Sequence, residues 1–137
     1  LRQRFLRLVG PDSSFLNPAD SLHAALQDGD EISAVALQPK IAATHSAFTL
    51  WCMGSDRIVS WGEPMCGGDS SKVTAQLKPI QQICATKFAF AAILADGSVV
   101  AWGDPDRGGD CFRVQDQLRN VREIHSTSTA FAAILAD

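Results

Sequence analysis

The sequence of 137 residues predicts a mainly β fold built from short antiparallel repeats of the kind that form propeller blades. The first observation is an internal repeat with a period of 41 residues. The second is that each repeat holds apolar runs of strand length, separated by turn residues. The third is that no repeat contains a long amphipathic helix, which excludes a parallel α/β arrangement. Three to four short strands in a unit of about 40 residues is the pattern of a blade.

The repeat is clearest around two Trp-Gly pairs. Trp61 recurs as Trp102, and a Gly-Gly-Asp phrase that follows each tryptophan recurs at the same distance. The octapeptide AFAAILAD of residues 89–96 recurs as residues 130–137. Because one spacing holds for all of these phrases, the similarity marks a repeated structural unit.

An earlier and more divergent copy precedes these two. Residues 41–62 align with residues 83–103, first with a shift of 42 residues and later with a shift of 41. The first copy therefore carries one extra residue near its turn. This alignment gives units at residues 41–82, 83–123 and 124–137, of which the last is incomplete.

Each unit is predicted to contain a hairpin. The apolar run of residues 89–95 reaches Asp96-Gly97, a dipeptide typical of a two-residue type I′ turn, and residues 98–103 form the return strand. In the last unit, the strand at residues 130–137 has no return strand in the sequence. We therefore expect either that the chain continues or that this strand adds to a neighbouring sheet.

The rest of each unit is predicted from its turn residues and apolar anchors. Residues 104–110 are predicted to form a loop. Residues 112–120 are predicted to form either a short helical turn or an irregular strand. A further strand follows, with Val121 and Ile124 as its expected buried anchors.

Residues 85–110, ATKFAFAAILADGSVVAWGDPDRGGD, resemble the repeat of the RCC1-like family, named for the regulator of chromosome condensation. The shared order is a small-residue strand, an apolar strand, Asp-Gly, an apolar strand ending in Trp-Gly, and a glycine-rich loop. The resemblance extends over residues 41–137 and implies a β-propeller-type fold with protein partners. The family's nucleotide-exchange and chromatin roles are not implied, because no acidic or basic cluster here matches those sites.

Residues 1–38 do not share the repeat and are predicted to be a separate segment from residues 39–137. Their pattern predicts a strand at 4–10, a loop at 11–22, a short helical turn at 19–26, a turn at 28–29 and a strand at 31–37. This order resembles the C-terminal half of a ubiquitin-like β-grasp domain, with Asp-Gly-Asp at the entry to the last strand. A segment of this length is too short to bury a core alone.

Composition narrows the class of protein. A hydrophobic content of 46% with 20% charged residues indicates a globular domain. The net charge of −3 argues against a nucleic-acid binder, and no apolar run reaches the ~18 residues of a transmembrane helix. We expect a soluble protein, and the sequence leaves its compartment open between the cell interior and an organelle.

No motif indicates catalysis or a cofactor. The four cysteines, which lie outside any C-x-x-C pair, favour free thiols over a metal site, although one disulfide remains open: Cys52, Cys66, Cys84 and Cys111. The three histidines occupy unrelated positions, and neither a nucleophile motif nor a phosphate-binding loop is present. We expect no enzymatic activity, no metal and no cofactor.

Four residues are candidate contacts for a partner. Trp61 and Trp102 are expected to be buried, whereas Trp51 has no tryptophan counterpart and is the better candidate for an exposed contact. The acids Asp104, Asp106 and Asp110 lie in the glycine-rich loop. Their spacing resembles part of a calcium loop but lacks a bidentate glutamate, so a solvated turn is expected.

The sequence therefore predicts a non-catalytic scaffold or protein-binding module. Its partners would bind through the repeat loops or the open C-terminal strand. The alternative is a small accessory subunit of a larger assembly, either organellar or membrane-associated, for example a photosynthetic one.

Overall fold

The computed structural model describes residues 5–9, 15–16 and 33–136, and the chain divides into two units, Leu1–Gln38 and Pro39–Asp137. Both units consist of small antiparallel sheets, which confirms the mainly β fold class.

The first unit contains one three-stranded sheet with the order β2-β1-β3. Its strands are β1 (Phe5–Val9), β2 (Phe15–Leu16) and β3 (Ser33–Leu37). Strands β1 and β3 were predicted, but β2 lies inside the segment predicted to be a loop. It forms because Leu8 and Val9 pair with Leu16 and Phe15, which satisfies backbone groups at the edge of β1. The helical turn predicted at 19–26 and the turn at 28–29 lie outside the described residues.

The second unit contains three consecutive sheets joined by 3₁₀ turns. Their strands are β4 (Pro39–Ala43), β5 (Ala47–Cys52), β6 (Ile58–Gly62), β7 (Ile80–Ala85), β8 (Ala89–Leu94), β9 (Val99–Gly103), β10 (Val121–Ser126) and β11 (Phe131–Leu135). We call β4–β6 the first repeat, β7–β9 the second and β10–β11 the third. The segment predicted as a helical turn or a strand forms the 3₁₀ helix Phe112–Gln117. Three shorter 3₁₀ turns cover Pro64–Cys66, Thr74–Gln76 and Pro105–Arg107.

The strand register explains why the repeat spacing changes from 42 to 41 residues. Between Ile80 and Gln82 the pairing of β7 with β8 shifts, which marks a bulge that β4 lacks. In the first repeat, the segment between paired Trp51 and Ile58 is one residue longer than the segment between Ile93 and Val99. The extra turn residue predicted for the first copy is thereby confirmed, and it compensates for the bulge.

The turn at Asp96-Gly97 differs from the predicted type I′ turn. Gly97 has a φ of 78°, whereas Asp96 does not have the positive φ that a type I′ turn requires at both central positions. The Leu94 N–H donates to the Ser98 carbonyl, so the loop holds three residues. This shape is favoured because the Asp96 carboxylate accepts the Ser98 N–H at 3.0 Å.

Equivalent backbone hydrogen bonds join successive repeats. The His45 N–H of the first repeat donates to the Lys87 carbonyl at 2.9 Å, and the Lys87 N–H donates to the Ser128 carbonyl at 3.0 Å. Within each repeat a threonine hydroxyl accepts the N–H three residues later, as Thr86 does from Ala89. The same local geometry is therefore used in all three repeats.

The larger of the two buried clusters in the second unit lies between the first and second repeats. Phe90 is fully buried and stacks on Trp102, with ring centroids 5.4 Å apart. Gly67, from the loop of the first repeat, lies directly over these rings, and its carbonyl accepts the Trp102 indole N–H at 3.2 Å. Gly67 has a φ of 96°, and a Cβ there would lie 2.5 Å from the Phe90 ring. Only glycine satisfies both constraints.

We predict that Gly67→Ala destabilises the protein by about 2–4 kcal/mol, against about 1 kcal/mol for Gly54→Ala. Gly54 is the matched control because its φ of 79° is also positive, but no atom lies within 4 Å of a Cβ built there. The difference between the variants isolates the contact with Phe90 and Trp102. Urea unfolding measures both values. Equal losses would show that the close contact of Gly67 with the Phe90 ring does not add to the cost of the substitution.

Candidate functional site

One phenylalanine recurs at the same position of every repeat, and its surroundings change along the series. In the second repeat, Phe90 and Trp102 are buried, with exposures of 0% and 4%. In the first repeat, Phe48 stacks on Trp61 at 5.6 Å, but both rings are 44% exposed. Trp61 was expected to be buried, and that expectation is wrong because none of the described loops covers it as Gly67 covers Trp102. In the third repeat, no tryptophan of the described residues stacks on Phe131.

A groove of about 350 Å³ lies between the second and third repeats, beside β11. Its walls are mainly apolar. The side chains from β11 and β10 belong to Phe131, Ala133, Leu135 and Ile124. Gly108 of the second-repeat loop also lines the groove and approaches the Phe131 ring, as Gly67 approaches Phe90.

Strand β11 has a free edge among the residues described here, where β10 is its one partner. The Ala136 N–H donates to the Asn120 carbonyl on the β10 side. Because backbone groups alternate in direction along a strand, those of Phe131, Ala133 and Leu135 face the free edge. The free edge therefore runs along the groove.

Trp51 does not form the exposed contact that the sequence suggested. It is 5% exposed and belongs to the core between the first and second repeats. It stands on β5 where β8 has Ile93, and the Lys40 ammonium lies 5.4 Å from the centre of its ring. Its role is to fill an interface between repeats, which removes it from the candidate contact surface.

Two of the candidate acids hold the shape of their loop. Asp104 accepts the Asp106 N–H at 3.0 Å, and its carboxylate lies 3.6 Å from the Arg107 guanidinium. Asp110 accepts the Phe112 N–H at 2.8 Å, just as Asp69 accepts from Ser71 in the preceding repeat. Asp69 and Asp110 therefore satisfy N–H groups of their own loops. Asp106 is exposed and remains a candidate contact.

Burial and local hydrogen bonds shift the pKa of several titratable groups in the described part of the chain. All four cysteines are free thiols, and burial raises the pKa of Cys84 and of Cys111, which favours their unreactive protonated form. Hydrogen bonds from Lys78 and Ser98 hold the pKa of the exposed Asp96 carboxyl well below its usual range. Within residues 5–9, 15–16 and 33–136, no group of three or more His, Cys, Asp or Glu side chains could hold a metal ion.

Comparison with protein-family models, with curated proteins and with solved structures found no match. In the described residues, no helix is long and apolar enough to cross a bilayer.

Sequence reasoning found the open strand but missed the groove and two residues that shape it. These residues are Phe131, which lines it, and Gly108, which approaches the Phe131 ring from the loop. A signal was available, since Phe131 repeats Phe90 and Gly108 repeats Gly67 at a spacing of 41 residues. What the sequence did not reveal is that the loop of one repeat packs on the strand of the next.

Enlarging equivalent alanines should distinguish the filled interface from the groove. Ala92 is 0% exposed in the filled interface, and Ala133 is its exposed equivalent in the groove. We predict that Ala92→Leu destabilises the protein by about 1–3 kcal/mol through overpacking, while Ala133→Leu changes stability by about 0.5 kcal/mol or less. Urea titrations of both variants measure the difference. A similar loss in both would mean that the groove is closed in solution.

Proposed function

We propose that this chain is a non-catalytic protein-binding module whose partner adds a strand to the free edge of β11. The single observation that carries the proposal is the coincidence of that edge, which is free among the described residues, with the apolar groove. A free edge offers backbone hydrogen bonds, and a neighbouring groove offers side-chain pockets. Together they supply both affinity and selectivity for an extended segment.

The exposure of β11, compared with its buried equivalent β8, supports a protein partner. Strand β8, the equivalent of β11 in the second repeat, has partners on both edges, and all six of its residues are buried. Strand β11 carries the similar sequence FAAIL, yet four of its five residues are exposed. An apolar strand with an unpaired edge is prone to pair with another chain. Its addition to a partner strand would bury this surface.

A second candidate function is that of an accessory subunit built into a larger assembly. The observation that favours it is the exposed stack of Phe48 on Trp61, which lies in the first repeat rather than the third. Exposed aromatic surface away from the groove fits a chain with neighbours on more than one side. The RCC1-like and β-grasp resemblances remain predictions that fit either function.

Two variants separate binding at the strand edge from binding at the loop. Ala133→Pro removes one N–H from the free edge of β11 without removing a bond to β10, and edge strands tolerate proline at such positions. Asp106→Ala removes an exposed carboxylate from the loop. Both variants and the parent chain would be used to capture proteins from a lysate of the source cells, with quantitative mass spectrometry of the bound fraction.

We expect a specific partner to bind the parent chain and Asp106→Ala but to be depleted at least tenfold with Ala133→Pro. Circular dichroism would first establish that Ala133→Pro is folded. Equal capture by Ala133→Pro would contradict strand addition. If capture of the partner were lost only with Asp106→Ala, the binding site would lie in the loop and not at the strand edge.

A further inference from the structure

We propose that Lys78 protects the Asp96-Gly97 turn against spontaneous isomerisation of the aspartate to isoaspartate. This modification site lies in the second repeat and does not depend on the proposed binding function. Two features of the turn carry the inference. Hydrogen bonds occupy both groups that would have to react, and the turn forms a contact between two repeats.

An Asp-Gly pair is the sequence in which this reaction meets the least hindrance, because glycine has no side chain beside its amide nitrogen. The Gly97 nitrogen would bond to the side-chain carboxyl carbon of Asp96 and lose its proton. One carboxyl oxygen, first protonated, would leave as water. Water then opens the resulting succinimide ring. Opening at the backbone carbonyl gives isoaspartate, whose main chain is longer by one carbon and whose atomic composition equals that of aspartate.

Four hydrogen bonds occupy the two reacting groups of the turn. One oxygen of the Asp96 carboxylate accepts the Ser98 N–H at 3.0 Å and the Ser98 hydroxyl at 2.5 Å. The other oxygen accepts a bond from the Lys78 ammonium. The Gly97 N–H donates to the Leu94 carbonyl at 2.9 Å. Ring closure would have to break these bonds.

Lys78 is the partner that controls the charge of the carboxylate. The carboxyl loses an oxygen as water readily only when it is protonated, and a neighbouring cation favours the ionised form. Hydrogen bonds from Lys78, the largest cause, and from Ser98 lower the pKa of the Asp96 carboxyl. The backbone holds the lysine beside the turn, because the carbonyl of the next residue, Pro79, accepts the Ala95 N–H at 2.7 Å.

The same turn joins the second repeat to the third. The Gly97 carbonyl accepts the Val121 N–H at 2.9 Å. The fit is close, since a Cβ built on Gly97 would lie 2.9 Å from the Asn120 Cα. An additional main-chain carbon at Asp96 would displace Gly97 from this position. Isomerisation would therefore loosen a contact between two repeats, and the ion pair with Lys78 delays that damage.

The test uses the full 137-residue chain and three lysine variants. Each protein is incubated in neutral buffer well below its melting transition, and peptide mapping by mass spectrometry quantifies isoaspartate at Asp96. We expect Lys78→Ala to accumulate isoaspartate about two- to fivefold faster than the parent, the factor by which an exposed ion pair shifts a protonation equilibrium. Lys78→Arg keeps the cation and should stay near the parent rate. Lys72→Ala removes another exposed lysine of the same segment and should leave the rate unchanged.

Two rate comparisons would overturn the proposal. One is a Lys78→Ala rate equal to that of the parent. The other is a Lys78→Arg rate as high as that of Lys78→Ala, because the cation would then not be the protecting group.

Hydrogen exchange of the Val121 amide separates protection of the carboxylate from loosening of the turn. Before isomerisation begins, this amide should exchange at the same rate in the parent and in Lys78→Ala, since its bond to the Gly97 carbonyl does not involve the lysine. Faster exchange in Lys78→Ala would show that the lysine acts by holding the turn in place, and it would also contradict the proposal.

Discussion

The stacking of a glycine loop on an aromatic pair is the contact on which the rest of the second unit depends. A single three-stranded sheet of this size cannot bury enough apolar surface to be stable in water. Each sheet gains its core by packing on the next one, and the loop that ends in Gly67 completes the packing over Phe90 and Trp102. The same loop then delivers a carbonyl to the indole, so the core contains no unsatisfied buried side-chain polar atom among the described residues.

This contact makes the environment of each repeat depend on its neighbours. The second repeat has a neighbour on both sides, and all of β8 is buried. The first repeat has its Phe48–Trp61 stack exposed, and the third has a groove where the second holds Trp102. Similar sequences therefore give a core in the middle of the series and exposed apolar surfaces elsewhere. The proposed function rests on this difference in exposure between equivalent residues.

The sequence predicted the parts of the fold that depend on local pattern. The period of the repeat, the strands and the anchors Val121 and Ile124 all follow from apolar spacing and turn residues, and both anchors are 5% exposed. The turn type did not follow, because the Asp96 side chain and the position of Gly97 select a three-residue loop. Strand β2 was missed, since it is only two residues long and depends on pairing with β1.

The candidate site was harder to predict because exposure is a property of neighbouring repeats. Trp51 was expected to be exposed and is buried, whereas Trp61 was expected to be buried and is half-exposed. The local sequence around each tryptophan gives no sign of this inversion. Trp51 faces a following repeat, whereas Trp61 belongs to the face that a preceding loop would cover.

The central claim is that the loop of one repeat closes over the aromatic pair of the next. Solvent exchange of the tryptophan indole N–H groups, measured by NMR on the ¹⁵N-labelled chain, tests it most directly. The account predicts that the indole proton of Trp102, bonded to Gly67 and buried, exchanges far more slowly than that of Trp61, whose ring is 44% exposed. Fast exchange at Trp102, equal to that at Trp61, would contradict the claim.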